Sequence, residues 1–506
     1  MNGVMVQGTS SDSGKSFIVT ALCRVLADMG LRVCPFKSQN MSNNSCVTAD
    51  GLEMGRAQGV QAEAARLEPQ AFMNPILLKP RKDTSSEIVL MGKVFDAPCD
   101  KNYYKDFTMT TGIKTVRKAL KHIAGSFDLI VCEGAGSPAE VNLNAKEIVN
   151  MRVAREANLP VVLVSDVDRG GAIASIVGTL ELLGEDKKRV KGIIFNKFRG
   201  DISLFKDAVE FTEKHTGVRV LGVMPWLEDV VIEAEDVLSL NWLRDGNSAD
   251  RDITIGAVKF PRISNHTDIE AFRFETDVRI KEIDAGTDFG KLDAIVLPGT
   301  KSTVLDMKYL LDSGLAEKIR SFSKNGGFVY GFCGGYQMMG SQIIDSGFRD
   351  NGRFPCIEGL GLLPAVTTFA DEKTTCRSSG VTIHPAIQPP ISVCGYEIHF
   401  GETKLAEEHS GFSPLFDLGG KPDGAADDGL RFAGSYLHNA FHNDKFRNVW
   451  LNKIRKTKGL PERAPVDSSK AKDEAYDALA AAFLQNIDME YLLNDIMKLT
   501  LPKRKS

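Results

Sequence analysis

Short apolar runs rich in Val, Ile and Leu recur along the chain, each followed by a Gly- or Asp-containing loop and a stretch with helical spacing. Examples lie at 3–6, 128–132, 160–165, 192–195, 253–258, 294–297 and 327–330. Continuous apolar runs of this length suit strands covered on both faces, which predicts parallel sheets in β/α alternation. The pattern breaks at 239–252, SLNWLRDGNSADRD, where polar and turn-forming residues precede a fresh apolar strand. It changes again near Phe446. There the chain becomes charged and helical, Pro461 and Pro465 mark a linker, and apolar residues recur at helical spacing over 471–498 before a short basic end, PKRKS. The expected organisation is an α/β domain over 1–240, a second over 251–445, and a linker with a helical tail over 446–506. No internal repeat or low-complexity segment interrupts it.

Composition narrows the class without naming it. The 506 residues carry 62 Lys+Arg against 66 Asp+Glu, a net charge of −4, with 43% hydrophobic and 25% charged positions. At about 150 residues per domain, this length allows two to four domains. The near-neutral balance lacks the basic footprint of a nucleic-acid binder. The apolar runs fall far short of the roughly 20 residues that span a bilayer. The opening MNGVMVQGTS has neither a charged leader nor a long apolar core, so no signal peptide is expected. Nine cysteines without a CxxC pair read as reduced thiols of a cytoplasmic protein, mostly small buried hydrophobes.

Candidate chemistry begins with Gly8-Thr9-Ser-Ser-Asp-Ser-Gly14-Lys15-Ser16, between the first strand and a helical run. Glycines let backbone N–H groups turn toward phosphate oxygens, a helix N-terminus adds partial positive charge, Lys15 would reach terminal phosphates and Ser16 would ligate Mg²⁺. Counted from Gly8, the spacing exceeds the common phosphate-loop motif by one residue, and a Gly-rich helix cap is the plain alternative. Glu133 ends a strand before glycines, where a carboxylate would sit near the metal, or cap a helix. Asp50 is a weaker metal candidate. Asn196 and Lys197, at another strand end, could hold a purine edge and ring, or form a polar loop. Asp166, Asp168 and Arg169 follow a neighbouring strand toward the same sheet edge. The amide-rich Gln39, Asn40, Ser42, Asn43 and Asn44 could contact a large polar acid or form an Asx-rich turn.

The second half carries a different chemistry. Gly331-Phe-Cys333-Gly334-Gly335 lies between a strand and a helical run, a nucleophile elbow with Cys as nucleophile. A helix N-terminus there favours the thiolate. Backbone N–H groups at Gly299 and Gly334 could form an oxyanion hole. His438 ends an apolar strand and is the best-placed base, with His399 its competitor. Position 440 is Ala, so no acid stands two residues after His438 to orient its ring; another carboxylate could serve through space, or the pair could act as a dyad.

An ATP site and a thiol hydrolase on one chain suggest ammonia release from glutamine coupled to carboxylate activation. At this point the sequence resembles the cobyrinate amidotransferase family, whose first half is related to dethiobiotin synthetase. The motifs carrying the resemblance are GTSSDSGKS (8–16), FKSQNMSNNS (36–45), DGLEMGRAQ (50–58), MNPILLKP (73–80) and CEGAGSPAEVNL (132–143), followed by SDVDRGGAIASIVGTLELL (165–183), FNKFRGD (195–201), GFCGGYQMMG (331–340), GYEIHFGET (395–403) and GSYLHN (434–439). The resemblance implies a dethiobiotin synthetase-like P-loop domain, then a flavodoxin-like class I glutamine amidotransferase domain. It implies Cys333 as nucleophile, His438 as base, an extended phosphate loop, and ATP and Mg²⁺ as cofactors. QNMSNNS matches the members that amidate the b, d, e and g carboxylates of adenosylcobyrinic acid a,c-diamide, not the relative that makes the a,c-diamide, which carries a different loop there. The implied partners are the corrinoid, glutamine and ATP, with neither nucleic acid nor membrane, and a homo-oligomer is compatible. The runner-up readings are that relative, or an amidoligase of a cell-wall precursor. A ParA-like ATPase is the non-enzymatic alternative, which has no use for a thiol domain.

Overall fold

The computed structural model describes residues 1–82, 85–99, 103, 107–144, 146–228, 230, 232–233, 251–350, 353–406 and 411–499. The break at 239–250 and the terminal PKRKS lie outside them. The chain forms two compact units: Met1–Ser42 with Glu53–Glu235 and Lys472–Ser506, and Asn43–Leu52 with Asp236–Ala471.

In the first unit six strands make one parallel sheet: β1 (Gly3–Gly8), β2 (Val33–Phe36), β3 (Leu129–Glu133), β4 (Val161–Asp166), β5 (Val190–Phe198) and β6 (Val220–Pro225), in the order β6-β5-β4-β1-β3-β2. Every residue of β1, β3 and β4 is buried, as continuous apolar strands covered on both faces require. Helix α1 (Lys15–Asp28) follows β1 and buries Ile18, Val19, Leu22 and Leu26 against the sheet, while α2 (Arg56–Ala64) is buried along most of its length. Register fixes what the sheet's C-terminal edge presents. Val6 pairs with Glu133, Gly8 with Val164, and Asp166 with Asn196. Four side strands, Gln39–Met41, Ile76–Lys82, Ser85–Leu90 and Lys93–Cys99, form a separate small sheet.

The second unit holds a seven-stranded sheet of β7 (Ile253–Val258), β8 (Val278–Ile283), β9 (Ala294–Leu297), β10 (Phe328–Phe332), β11 (Phe412–Ser413), β12 (Ala425–Asp427) and β13 (Phe432–Ser435), in the order β8-β7-β9-β10-β13-β12-β11. The five strands from β8 to β13 in that order are parallel, and the last two pairings are antiparallel. Helices α3 (Thr267–Glu270), α4 (Thr303–Asp312) and α5 (Gly334–Met339) accompany it, together with a long hairpin of Ala365–Thr382 against Ser392–Leu405. Helix α6 (Asp444–Thr457) belongs to this core. Trp450 is 1% exposed, its ring packs on Phe272 and Phe441, and Arg447 and Arg455 are buried on Glu275 and Asp277 at 2.8 and 2.9 Å.

Helix α7 (Ser468–Asn486) carries the chain back into the first unit. Leu479, Ala480 and Phe483, then Ile487, Leu492, Leu493 and Ile496, join Val4, Val6, Ile18 and Leu22 in one core. Arg24, only 1% exposed, meets Asp473 and Asp477 at 2.7 and 2.6 Å, so the helix is pinned by charge as well as by apolar burial. No helix among the described residues is long and apolar enough to cross a membrane. Phe483→Ala is expected to cost the first unit about 3–5 kcal/mol in chemical denaturation. Leu484→Ala, at a position 47% exposed, should change it by less than about 0.5 kcal/mol.

Candidate active sites

The phosphate loop of the first unit leaves β1 and ends at α1. Gly14 has φ 90°, and a Cβ there would lie 2.0 Å from Asn196 Nδ2; only glycine can take this close, left-handed turn. A Cβ on Gly8 would strike Ser13 Oγ at 2.1 Å. Ser13 Oγ is buried without a hydrogen-bond partner, so a polar atom faces into the cradle unsatisfied. Lys15 Nζ donates to Ser10 O and Gly136 O at 3.0 and 3.1 Å. Thr9 Oγ1 lies 3.1 Å from Ser165 Oγ.

Glu133, 1% exposed, gathers the neighbouring charges. Its Oε1 accepts from Ser16 Oγ and Lys37 Nζ, both at 2.9 Å, and its Oε2 accepts from Gln61 Nε2. A hydroxyl and a carboxylate this close are hard oxygen donors suited to Mg²⁺, which takes few protein ligands and completes its shell with water and phosphate. No group of three His, Cys, Asp or Glu that could hold a metal occurs among the described residues. Asp50 is exposed on the 43–52 stretch that belongs to the second unit, where Thr48 Oγ1 donates to it at 2.5 Å. No local pattern marks Lys37 or Gln61, whose proximity to Glu133 comes from separate elements.

Asn196 is buried and donates to Ser13 O at 3.0 Å, and Lys197 donates to Asp12 O and to Asp166 Oδ2 at 2.5 and 2.9 Å. Both therefore brace the phosphate loop from below. Asp168 pairs with Arg199 at 2.9 Å, and Arg169 reaches Asp12 at 3.3 Å. The amide-rich segment is divided between the units after Ser42. Gln39 accepts from Tyr103 OH at 2.5 Å and lines a small cleft with Ser137, Glu140, Glu147 and Asn150. Asn40 is buried and donates to Gln58 at 3.2 Å. Ser42 N donates to Leu78 O, whereas Asn44 turns to His266 at 2.9 Å in the second unit.

In the second unit Cys333 joins β10 to α5 with φ 49° and ψ −107°, a conformation that L-residues adopt only under constraint. The constraint is steric. A Cβ on Gly335 would lie 2.1 Å from Leu297 O, and one on Gly331 would lie 2.6 Å from Tyr336 N. Cys333 N donates to Ser435 O at 2.9 Å, which ties the turn to β13. Behind it, Tyr330, Phe441 and Trp450 form an aromatic cluster with ring centroids 4.5–6.1 Å apart. Register places Phe332 beside Ser435 and Leu297 beside Gly331, so the segments leaving β9, β10 and β13 converge at one sheet edge. The other thiols differ: Cys23, Cys34 and Cys132 are fully buried, and burial raises their pKa values far above the ordinary range.

His438 is the histidine beside the thiol. Its Nδ1 lies 2.7 Å from Asp268 Oδ2, and both side chains are 1% exposed. Asp268 Oδ1 also accepts from Asn439 N at 2.6 Å. Burial alone lowers the ring's pKa, but the charge and hydrogen bond of Asp268, with a smaller pull from Cys333, push it up to about 10. Asp268, 170 positions upstream, is thus the carboxylate that Ala440 could not supply, and no local pattern marks it. Asn265 Nδ2 lies 3.2 Å from His438 Nε2. His399 stacks on Tyr436 with ring centroids 3.8 Å apart and has Glu397 at 3.5 Å.

For the oxyanion hole, a Cβ on Gly334 would lie 3.2 Å from Thr300 N, whereas Gly299 stands nearest Ser264 and His438 Cε1. The loop after β9 is tied to α4 by hydrogen bonds. Asp350 caps α4 by accepting from Thr303 N and Val304 N at 2.9 and 2.6 Å, and burial raises its carboxyl to about 7 despite those bonds. Thr300 Oγ1 donates to Asp306 at 2.5 Å.

Residues 4–239 match the CobQ/CobB/MinD/ParA nucleotide binding domain, and 254–446 the CobB/CobQ-like glutamine amidotransferase domain. A cobyric acid synthase of Geobacillus thermodenitrificans is 46% identical over 489 residues, covering 96% of each chain. One of Listeria monocytogenes is 42% identical over 505 residues, covering 98% of this chain and 96% of its own. Among solved structures, a glutamine amidotransferase superposes on 40% of this chain and 98% of its own, with 16% identity and a TM-score of 0.31.

Gly335→Ala is expected to lower the unfolding midpoint by several degrees and to slow iodoacetamide alkylation of Cys333, because the new Cβ meets backbone that cannot yield. Gly347→Ala, whose nearest neighbour would be 3.6 Å away, should change neither.

Proposed function

The chain belongs to the cobyric acid synthase family, and on that premise we propose that it amidates the b, d, e and g carboxylates of adenosylcobyrinic acid a,c-diamide to give adenosylcobyric acid. It is an ATP-dependent, glutamine-hydrolysing amide ligase of cobalamin biosynthesis. The proposal adds which carboxylates react, how they are activated and which residues act. The cytoplasm is the compartment that suits small-molecule substrates and free thiols.

In the first unit, a carboxylate oxygen of the corrinoid attacks the terminal phosphorus of ATP, ADP leaves, and the resulting acyl phosphate carries a good leaving group. Gly8, Thr9 and Gly14 shape the cradle, Lys15 neutralises charge on the transferred phosphoryl group, and Asn196 and Lys197 keep the loop in place. Mg²⁺, held by Ser16 and Glu133, would supply charge neutralisation on the phosphates. Lys37, now paired with Glu133, can turn its charge to an incoming carboxylate. Gln39, Asn40 and Ser42 are the contacts proposed for the acid.

In the second unit, Cys333 Sγ attacks the side-chain amide carbon of glutamine while His438 Nε2 takes the thiol proton and returns it to the departing ammonia. Backbone N–H groups at Gly299 and Gly334 stabilise the oxyanion. Water then cleaves the thioester to glutamate, and the ammonia displaces phosphate from the activated acid. Asp268 keeps the ring in the tautomer with its proton on Nδ1 and stabilises the imidazolium that forms. The observation that carries this reading is the buried Asp268–His438 pair beside a strained Cys333.

The test counts added carboxamides by mass after incubation with ATP, the a,c-diamide acid and either glutamine or ammonia. Four additions are expected, and no mass change would refute the assignment. Cys333→Ala should abolish glutamine use and retain ammonia use; equal loss with both donors would show that the two chemistries are not separable. Lys15→Ala should lose both. Asp268→Asn should lower glutamine-dependent turnover about 10³-fold or more, as expected when an orienting acid is neutralised, and leave ammonia-dependent turnover in place.

A further inference from the structure

The carboxylate of Glu133 is held on both oxygens. Its Oε1 accepts from Ser16 Oγ and Lys37 Nζ, and its Oε2 accepts from Gln61 Nε2. Gln61 is fully buried, and its own Oε1 has no hydrogen-bond partner. Turning that amide over would set its oxygen against the carboxylate, so Glu133 fixes the orientation. Gln58, one turn earlier, repeats the arrangement: its Oε1 accepts from Asn40 Nδ2 at 3.2 Å, and its Nε2 is buried without a partner. Asn40 is fixed in turn, because its Oδ1 accepts from Met41 N at 2.9 Å. Buried amides left half satisfied lower stability. The placement of these two glutamines therefore answers to Glu133 and Asn40 rather than to folding.

At about 100° per residue, Gln58 and Gln61 share one face of α2, while Arg56, Val60, Glu63 and Ala64 share the opposite one. That opposite face meets the C-terminal helix α7. Tyr476 packs with Val60 and Ala64, and its hydroxyl donates to Glu63 Oε2 at 3.1 Å. Arg56 bridges Glu63 and Glu233 at 2.8 and 2.6 Å, and Lys472 pairs with Glu233 at 2.5 Å. On the same helix, Asp473 and Asp477 hold Arg24 of α1, whose first turn carries Ser16. Thus α7 fastens both α1 and α2 from outside, while Ser16 and Gln61 on those helices close on the two oxygens of Glu133.

We propose that Gln61 is a positioning residue for Glu133 as a metal-binding carboxylate, and that α7 is the clamp that keeps it in reach. This rests on the reading of Ser16 and Glu133 as the Mg²⁺ ligands. The Gln61 N–H holds Oε2 and stops the carboxylate turning about its Cγ–Cδ bond, so Oε1 stays beside the Ser16 hydroxyl. Being neutral, the amide does this without cancelling the charge that attracts a cation, as a lysine at 61 would. Groups that orient a ligand in this way set metal affinity without touching the metal. A C-terminal segment with no motif of its own thereby serves the nucleotide site.

The test measures Mn²⁺ binding to the full chain by electron paramagnetic resonance with a non-hydrolysable ATP analogue present, and binding of the analogue without metal in parallel. Gln61→Met keeps the length and loses the donor. It should weaken Mn²⁺ binding about tenfold or more, as when a group supporting a metal ligand is removed, and leave metal-free analogue binding unchanged. Gln61→Asn, whose amide falls one methylene short of Glu133, should do the same and decides if Gln61→Met does not fold. Tyr476→Phe combined with Lys472→Met removes two polar holds of α7 and keeps the packing. It should weaken Mn²⁺ binding about threefold, the low end for one hydrogen bond. Unchanged Mn²⁺ binding in the Gln61 variants overturns the positioning role, and unchanged binding in the α7 variant overturns the clamp. Loss of metal-free analogue binding in step with Mn²⁺ would mark a merely structural role and overturn both. Mn²⁺ binding that survives Glu133→Gln would instead refute the reading of Glu133 as a metal ligand, which separates the two failures.

Discussion

Parallel strands buried on both faces leave only their ends to meet a ligand, and that constraint governs both units. In the first, β1, β3, β4 and β5 end at the phosphate loop, Glu133, Asp166 and Asn196. In the second, β9, β10 and β13 end just before Gly299, Cys333 and His438. Pairing register then converts distance along the chain into proximity at one edge, as open α/β sheets do generally. The elbow is the sharpest expression of this. A residue at φ 49° and ψ −107° persists because Gly331 and Gly335 let backbone approach where any side chain would collide, and because an aromatic cluster fills the space behind it.

Both sites also depend on buried charge held in a balanced arrangement. Glu133 is satisfied by Lys37, Ser16 and Gln61, so a carboxylate survives deep in the first unit without an uncompensated desolvation cost. Asp268 is satisfied by the His438 ring and Asn439 N.

The chain threads between its units more than once, and the crossings are structural commitments. Residues 43–52 are held by Asn265, His266 and Tyr396, while α7 returns to bury Phe483 and to fix Arg24 between two aspartates. What reads as a charged tail along the chain is therefore core of the first unit.

Local pattern alone determined the strands, the glycine-rich turn before α1 and the elbow glycines around Cys333, because each depends on residues adjacent in sequence and on backbone geometry that only certain residues allow. His438 was legible for the same reason, at the end of its strand. Asp268, Lys37, Gln61 and Asn265 were not. Each acts on a residue at least 72 positions away, and no periodicity or motif encodes which carboxylate or amide will face it. The amide-rich segment makes the same point, since its composition announced polar contacts while the fold assigned Gln39 and Asn40 to one unit and Asn44 to the other. Tertiary structure decided these partners because electrostatic and hydrogen-bond partnership is settled by distance in space, after register and packing have brought the ends of the strands together.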